Sequence, residues 1–369
     1  MGEAPFDPTY GRPILENNRT IRREFNGLPA DRYSVASYTP LHELSGVITS
    51  NPLCFVRNHA GVPMIDVNDH RLIVHGMVET ALTFGLEDIK RFPSKTRTYF
   101  LECAGNSFSE WEGAQGKGCQ FTHGLMHNVA YTGVLLRDIL NEAGLKHGAR
   151  WILGEGADSA AMDRSIPIEK AMDDCMVVYA MNGEALYPEH GAPLRLLVPG
   201  WEGNISVKWL RRVKVGDRAW NTREETAKYT SLLPSGQARQ FAFVMDAKSV
   251  ITSPSPQSHT VMRGFNMLSG LAWSGRGRIA RVDVSLDGGR NWFRANLDGP
   301  VTPKAWVRFN ASFDWQGHEM NILSRAMDET GYTQPSLRQL TALRGIQSFY
   351  HNNAIQSWHI RKSGDVENI

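Results

Sequence analysis

The pattern of apolar and polar positions changes about two thirds of the way along the chain. Before about residue 245, short apolar runs such as 71–76 and 176–180 predict buried strands between polar and Gly-rich loops. Beyond it, strict alternation over 281–286 and again over 307–315 predicts half-buried strands joined by Gly turns. This second part has the pattern of a β-sandwich, in which we expect no helix.

Helical periodicity is found only in the first part. Apolar positions recur at helical spacing after Thr132 and Gly133 as far as Ala143, and Gly144 follows as a C-terminal signal. A second helix is predicted to begin at 166–168. Strands and helices in one part and strands alone in the other predict an α+β fold.

The length of 369 residues suits two domains. Residues 1–40 are polar and without periodicity, which predicts an extended N-terminal arm. We place a mixed α/β domain over 41–245 and the β-sandwich over 246–369. The composition, with 41% hydrophobic and 21% charged residues, is that of an ordinary globular protein.

Charge and hydropathy exclude two classes of partner. The net charge of +2 is small, and Lys and Arg are scattered among acidic residues, so we expect no nucleic acid partner. No apolar run reaches the roughly 18 to 20 residues of a membrane span. Near the N-terminus we find no apolar signal core, and we interpret Arg22-Arg23 as a solvated charge run. The protein is therefore cytoplasmic, or a signal has been removed.

The cysteines indicate little by their spacing. Cys54, Cys103, Cys119 and Cys175 form no C-x-x-C, which argues against a zinc ribbon, and no C-x-x-C-H, so we expect no haem in this chain. A disulfide is neither required nor excluded. Cys103 follows a predicted strand and precedes Ala104-Gly105-Asn106, where the backbone can turn sharply. Its thiol could ligate a soft metal, act as a nucleophile or be an inert buried group.

Two polar stretches could bind an anion. Arg57 and His59 lie in a loop beside a strand, and His190, Arg195 and Lys208 bracket a short apolar strand among glycines. Arg and Lys donors near Gly backbone amides suit a phosphate-sized anion. From these residues alone, solvated surface charges are an equal alternative at both places.

Four motifs in order resemble the sulfite oxidase family of molybdenum enzymes. They are 57–59, 103–106, 190–195 and 207–210, and the second part, with 282–289, resembles that family's immunoglobulin-like dimerisation domain. The resemblance implies a molybdopterin cofactor, with Cys103 as the protein ligand of molybdenum and Tyr229 as an active-site tyrosine. It implies that these residues bind the pterin: Phe55, Val56, Arg57, Asn58, His59, Asp158, His190, Arg195, Ser206, Val207 and Lys208.

The resemblance departs from the sulfite oxidases at the expected substrate pocket. Those enzymes line the pocket with several arginines, because sulfite is a small dianion. Arg57 keeps one of these positions as a catalytic residue, whereas Phe108 and Ser357 stand where two others are expected. We therefore expect a pocket for a neutral or singly charged sulfur group.

Within the family, the motifs 118–124, 223–230, 246–252 and 350–353 resemble the molybdenum subunits of Sox sulfane dehydrogenases. This implies oxidation of sulfane sulfur on a carrier protein's cysteine, with water as oxygen source. It further implies a c-type cytochrome subunit as electron acceptor, a homodimer and a periplasmic location. The alternatives are a sulfite dehydrogenase that passes electrons to cytochrome c and, in another class, a cofactor-free structural or carrier-binding subunit.

Overall fold

The computed structural model describes residues 21–23, 35–114, 116–256, 258, 260–345 and 348–369. Strands dominate, and the helices are short. The strands before residue 245 are β1 Ile21–Arg23, β2 Val35–Tyr38, β3 Val56–Asn58, β4 Leu72–Gly76, β5 Leu82–Phe84, β6 Ser94–Glu102, β7 Met126–Leu135, β8 Trp151–Gly156, β9 Asp163–Pro167, β10 Met176–Met181, β11 Glu184–Ala185, β12 Arg195–Leu197, β13 Leu210–Gly216, β14 Ser231–Leu232 and β15 Ala238–Arg239.

The later strands and the helices complete the fold. The later strands are β16 Lys248–Ser253, β17 Gly264–Trp273, β18 Ile279–Ser285, β19 Phe293–Arg294, β20 Asn296–Asp298, β21 Val307–Trp315, β22 Met320–Asp328, β23 Ser357–Ile360 and β24 Val366–Asn368. The α-helices are α1 Leu86–Lys90, α2 Cys119–His123, α3 Leu136–Ala143, α4 Ile168–Asp173, α5 Arg223–Thr226 and α6 Leu337–Arg344. The mixture confirms the predicted α+β class. None of the helices within the described ranges is long and apolar enough to cross a membrane.

Two five-stranded sheets form the body of the first part. One has the order β11-β10-β7-β6, with β12 also pairing with β10, and the other has the order β5-β4-β13-β8-β9. The pair β4 and β13 is parallel, while the other pairs of these sheets are antiparallel. Apolar side chains of α3 share a buried core with both sheets, and Leu136, Ile139, Val134 and Val213 are among its members. The two sheets place the ends of β6, β8 and β12 around one cavity.

A small sheet connects the N-terminal residues to this body. Strands β1, β2 and β3 pair antiparallel in that order, so 21–23 and 35–38 are joined to 56–58. Most of the predicted arm, 1–20 and 24–34, lies outside the described residues.

The second part consists of two sheets, of order β16-β17-β21-β20 and β19-β18-β22-β23-β24. The two sheets enclose a core rich in tryptophan, including the fully buried Trp273, Trp306 and Trp358. Phe100 and Met126 of the first part belong to the same core cluster. The two parts therefore share packed surface, and the predicted boundary between 245 and 246 stays a prediction.

Two local predictions were wrong. Thr132 and Gly133 belong to β7, and the helix begins only at Leu136. Gly133 pairs with Lys95 and Val178 on the two neighbouring strands, and a Cβ there would lie 2.2 Å from the carbonyl oxygen of Val177. Sheet pairing thus overrides the local helical pattern. The second part also contains a helix, α6, which Ser336 caps by accepting a hydrogen bond from the backbone N–H of Gln339.

Candidate functional site

One cavity collects nearly all the predicted site residues. The lining residues are Phe55, Arg57, Asn58, His59, Leu101, Cys103, His127, Asp158, Met162, His190, Arg195, Gly203, Asn204, Ser206, Val207, Lys208, Trp209 and Tyr229. Among the residues predicted from the sequence, Val56, Phe108 and Ser357 are not in this lining.

Cys103 is held where β6 ends. Its backbone N–H donates to the carbonyl of Leu125 at 2.9 Å, and its carbonyl accepts from the N–H of Asn106 at 2.9 Å. The side-chain Nδ2 of Asn106 also donates to Glu102 Oε1 at 2.9 Å, which closes the turn. Gly203 approaches from the opposite side, and a Cβ there would lie 2.8 Å from the carbonyl oxygen of Glu102. The turn and this close approach together fix the thiol in the cavity.

Glu102 anchors this turn to the β-rich second part. Its fully buried carboxylate accepts from Lys248 Nζ at 3.1 Å and from Trp273 Nε1 at 2.7 Å, in addition to Asn106. Three donors compensate the buried negative charge. The position of Cys103 therefore depends on Lys248 and Trp273, which lie 146 and 171 positions after Glu102 in the chain.

The chemistry of the Cys103 site fits a metal that brings most of its own ligands. Burial raises the pKa of the Cys103 thiol, so the site favours the thiolate only when a cation compensates the charge. All four cysteines are free thiols. Among the described residues, no group of three or more His, Cys, Asp or Glu side chains could hold a metal ion. A metal at Cys103 would need donors from a cofactor, as the dithiolene sulfurs of a molybdopterin provide.

The polar lining fits the organic part of such a cofactor. Buried polar atoms normally have partners, because an unsatisfied one is costly. Four residues of the cavity carry buried side-chain atoms that make no hydrogen bond within the described chain: Asn58 Nδ2, His127 Nδ1, Arg195 Nε, and Asn204 Nδ2 and Oδ1. They present donors and acceptors to the same space. A pterin, which is a flat heterocycle with donors and acceptors on its edge, would satisfy such groups.

Cations concentrate on one side of the cavity. Lys208 donates to the carbonyl oxygens of Arg57 at 3.1 Å and Glu189 at 2.9 Å, and also contacts the side-chain oxygen of Asn58. Burial and the charge of Arg195 lower the pKa of Lys208 to about 7, although Asp158 opposes this. The folded cavity therefore destabilises its own positive charge and favours a bound anion, such as the phosphate of a pterin. We call Arg57, Asp158, His190, Arg195 and Lys208 the charged face.

The histidines of the cavity are neutral. Burial, together with the charges of Arg57 and other cations, lowers the pKa of His59 to about 2. Burial and Lys208 lower the pKa of His190 to about 3, and burial also places the pKa of His127 well below its ordinary value. Each ring thus offers one donor and one acceptor nitrogen rather than a charge.

Tyr229 faces Cys103 from a separate segment. It follows α5 in a left-handed backbone conformation with φ of 49°, which is uncommon for a residue with a side chain. Its hydroxyl lies 3.1 Å from Nε2 of His59. Burial raises the pKa of Tyr229 well above its ordinary value, so the phenol stays neutral and can donate a hydrogen bond.

Aromatic side chains continue from Tyr229 to the surface. Ring centroids are 4.9 Å apart for Tyr229 and Tyr350, 5.0 Å for Tyr350 and Phe349, and 5.1 Å for Phe349 and Phe108. A Cβ on Gly105 would lie 3.4 Å from the ring of Phe349 and 3.9 Å from Cys103 Sγ. We call Phe108, Tyr229, Phe349 and Tyr350 the aromatic wall. It runs from beside the thiol to Phe349, which is 49% exposed.

Two members of this wall, Phe349 and Tyr350, were not predicted from the sequence, whereas Phe108 and Tyr229 were. Phe349 and Tyr350 lie more than 240 residues after Cys103, so no local spacing relates them to it. The family-like motif 350–353 was the available signal. Ser357 begins β23 and lines a separate cavity with Ser107, Glu110 and Gln356. The predicted roles of Phe108 and Ser357 in substrate binding stay predictions.

Comparisons with known proteins agree with this geometry. A family model described as "Oxidoreductase molybdopterin binding domain" matches residues 59–224, and one described as "Mo-co oxidoreductase dimerisation domain" matches residues 239–358. The mitochondrial sulfite oxidase of Rattus norvegicus is 34% identical over 94% of this chain and 65% of its own length. The sulfite oxidase of Gallus gallus is 34% identical over 85% of this chain and 72% of its own length. The chain thus spans about two thirds of the rat protein.

A solved structure is more similar still. The sulfane dehydrogenase SoxCD from Paracoccus pantotrophus contains a chain of 50% sequence identity, with a TM-score of 0.92 and coverage of 100% of this chain and 95% of that one. The fold, the cavity around Cys103 and these similarities confirm the resemblance found in the sequence. The chain belongs to the sulfite oxidase family of molybdopterin-dependent oxidoreductases.

Proposed function

We propose that the chain is the catalytic subunit of a sulfane dehydrogenase that oxidises sulfur bound to a cysteine of a carrier protein. The observation that carries this proposal is the aromatic wall beside Cys103. Its four members are uncharged, and Phe108 occupies the position where the sulfite oxidases are expected to have an arginine. Such a surface suits an uncharged sulfur on a protein arm better than a free dianion, which needs cations.

The similarity to known proteins supports the same choice. The chain is 50% identical to a chain of a structure named as a sulfane dehydrogenase, and 34% identical to proteins named as sulfite oxidases. Fold alone does not decide between substrates within one family. The proposal therefore depends on the wall, and the identity is a second line of support.

The residues of the cavity would have separate roles in the reaction. When bound, a molybdenum cofactor supplies the two-electron redox chemistry, with water as the source of oxygen. Cys103 would be its thiolate ligand, and the charged face would bind the pterin and its phosphate. The neutral phenol of Tyr229 would donate a hydrogen bond to the reacting group, and Arg57 would place a positive charge near it. The aromatic wall would exclude water from the arriving sulfur.

Partners and location follow from this reaction class. We propose a c-type cytochrome subunit as the electron acceptor, because electrons must leave the site one at a time. Carrier-bound substrate implies a sulfur-carrier protein, and the match to a dimerisation domain supports a homodimer. The resemblance to the Sox system supports a periplasmic location for the mature protein.

A substrate comparison tests the proposal. The chain is purified with its molybdenum and its cytochrome partner, and kcat/KM is measured for carrier-bound sulfane sulfur and for free sulfite with cytochrome c as acceptor. We expect the carrier-bound sulfur to be preferred by at least about 100-fold, the discrimination that roughly 2.7 kcal/mol provides. Efficient turnover of sulfite without any response to the carrier would instead establish a sulfite dehydrogenase, the alternative that the names of the curated relatives favour.

Elemental analysis of the same preparation tests the remaining alternative. A cofactor-free structural subunit would be folded and would contain no molybdenum even when it is expressed with a supply of cofactor. We expect about one molybdenum per chain, as a site with one thiolate ligand requires.

A further inference from the structure

A buried ionic network lies behind Tyr229, away from the charged face. Its members are Arg164 on β9, Glu202 in the loop after β12, Glu225 on α5 and His351 in the segment after α6. Arg164, Glu202 and Glu225 are at most 1% exposed, and His351 is 5% exposed. Buried charges are costly to maintain, so a network of this kind calls for a reason beyond stability.

The network holds one cation between two carboxylates. Arg164 Nη2 donates to Glu202 Oε1 at 2.8 Å, and its Nε lies 3.6 Å from Glu225 Oε1. Burial alone would raise the pKa of Glu202, but the guanidinium of Arg164 and the hydrogen bond from His351 hold it below its ordinary value. Glu202 is therefore ionised, and His351 Nε2 donates to its Oε2 at 3.0 Å.

The cation also contacts Tyr229. The guanidinium of Arg164 lies 5.3 Å from the centroid of the Tyr229 ring, within the range of a cation–π contact. The hydroxyl of the same ring is bonded to His59, and its other neighbour is the ring of Tyr350. The tyrosine is thus fixed by its hydroxyl, by a cation and by a second ring.

The same network reaches the turn of Cys103. The backbone N–H of His351 donates to the carbonyl of Ala104 at 2.8 Å. Glu202 is followed by Gly203, which packs closely against this turn. A Cβ on Gly203 would lie 3.5 Å from the Cα of Cys103. One connected set of contacts therefore fixes the tyrosine and the thiol relative to each other.

Backbone strain and unsatisfied atoms indicate that this geometry is imposed. Tyr229 and His351 both have left-handed φ values, of 49° and 59°. Arg164 Nη1 and His351 Nδ1 are buried and make no hydrogen bond within the described chain. Strain and incomplete pairing persist where the surrounding structure enforces them, and they concentrate at functional sites.

We propose that Arg164, Glu202 and His351 are positioning residues that hold the Tyr229 hydroxyl at a fixed distance from the Cys103 site. They act through Tyr229 and do not themselves contact the substrate. The inference rests on the proposed function only in assigning Tyr229 a role in turnover, and it applies to whichever sulfur compound the enzyme oxidises.

A double-mutant cycle tests the proposal. Arg164→Lys retains the charge but loses the planar fork that bonds a carboxylate and covers a ring. We expect it to lower kcat about 10- to 100-fold in the wild-type background, as a misplaced catalytic group does, and less than about 2-fold in the Tyr229→Phe background. Equal losses in both backgrounds, or no loss in either, would overturn the proposal. The cycle is run with whichever substrate, carrier-bound sulfane sulfur or sulfite, the holoenzyme turns over better. A failure of the proposed substrate assignment is therefore distinguishable from a failure of the positioning role.

A spectroscopic readout on cofactor-free protein separates positioning from loss of activity for other reasons. The contribution of Tyr229 to the near-UV circular dichroism is obtained by subtracting the spectrum of Tyr229→Phe from that of the wild type. We expect this band to shrink in Arg164→Lys, because the ring loses its fixed orientation. An unchanged band together with an unchanged kcat would contradict a positioning role.

Two further variants guard against trivial outcomes. If Arg164→Lys does not fold, Glu202→Gln replaces it. This variant keeps the volume of the side chain but removes the charge that holds Arg164 and His351. We expect the same loss of kcat in the wild-type background and the same small effect in the Tyr229→Phe background. Arg325→Lys is the matched control. Arg325 also pairs with a carboxylate, Asp283 at 3.1 Å, and covers a ring, Trp292 at 4.3 Å, but lies in the second part. It should leave both readouts unchanged.

Discussion

The charged face and the aromatic wall meet at Cys103 but differ in almost every physical respect. The charged face carries three cations, and burial together with the charge of Arg195 lowers the pKa of one of them, Lys208, to about 7. The aromatic wall is uncharged and extends to the half-exposed Phe349. A face that is unstable without an anion suits a permanently bound cofactor, whereas an open apolar face suits a substrate that arrives and leaves. Under the proposed function, the charged face would hold the cofactor and the aromatic wall would determine the substrate specificity.

The largest effect is expected where the two faces meet. Cys103→Ala removes the thiolate that we propose as the protein ligand of the metal, so we expect at least about a 100-fold loss of activity and loss of molybdenum from the purified protein. Metal analysis and turnover on the same sample measure both. Cys119→Ala, at a buried thiol bonded to Ser255 outside the cavity, is the control and should retain the metal. Retention of molybdenum by Cys103→Ala would disprove its role as a ligand.

Stability of the turn itself is the next largest effect. Lys248→Met leaves the fully buried Glu102 carboxylate without its cation, and breaking such a pair costs about 3 to 5 kcal/mol. Urea unfolding of the cofactor-free protein measures the loss. The exposed pair of Lys90 and Glu87 is the control, since Lys90→Met should cost about 0.5 kcal/mol or less. Similar costs for both pairs would show that Glu102 does not anchor the turn as described.

A pH-dependent effect on stability tests the electrostatic half of the comparison. Lys208 has a lower pKa in the folded protein than its ordinary value of 10.5, so the unfolded chain binds more protons between about pH 7 and pH 10. Its contribution to the free energy of unfolding should therefore rise with pH in this window, by up to about 1.4 kcal/mol per pH unit.

The measurement is the difference in free energy of unfolding between the cofactor-free wild type and Lys208→Met at several pH values. Titration of other groups cancels in this difference. We expect the free energy of unfolding of the wild type to rise relative to that of Lys208→Met as the pH rises from 7 to 10. A difference that does not change with pH would mean that the charged face does not destabilise its own cation.

The two faces also differ in how far the sequence predicted them. Most of the charged face comes from the short motifs 55–59, 190–195 and 206–208, each next to a strand, and the structure brings these motifs to one cavity. Their predicted roles in binding a cofactor stay predictions. Hydrophobic periodicity alone does not predict that the ends of β6, β8 and β12 lie close together. The family motifs do predict it. Burial of the whole set, which causes the lowered pKa values of Lys208 and His59, is a property of the folded cavity.

The aromatic wall and the network behind it were largely beyond the sequence. Phe349 and Tyr350 reach the site only because the segment after α6 returns across the first part, where the backbone N–H of His351 donates to Ala104. Arg164 and Glu202 resemble ordinary surface charges in the sequence, and only their burial reveals the network. Where sequence prediction of the fold failed, at Gly133 and at α6, contacts with distant strands or a capping residue decided the local structure.

The most direct test of the comparison is a change of charge on the aromatic wall. Phe108→Arg should lower KM for free sulfite about 10-fold and reduce kcat/KM for carrier-bound sulfane sulfur by a similar factor, because an added cation attracts the dianion and is poorly solvated against an apolar arm. Phe265→Arg, at a phenylalanine 76% exposed on β17, is the control and should change neither. If Phe108→Arg leaves the ratio of the two specificity constants unchanged, the aromatic wall does not select the substrate.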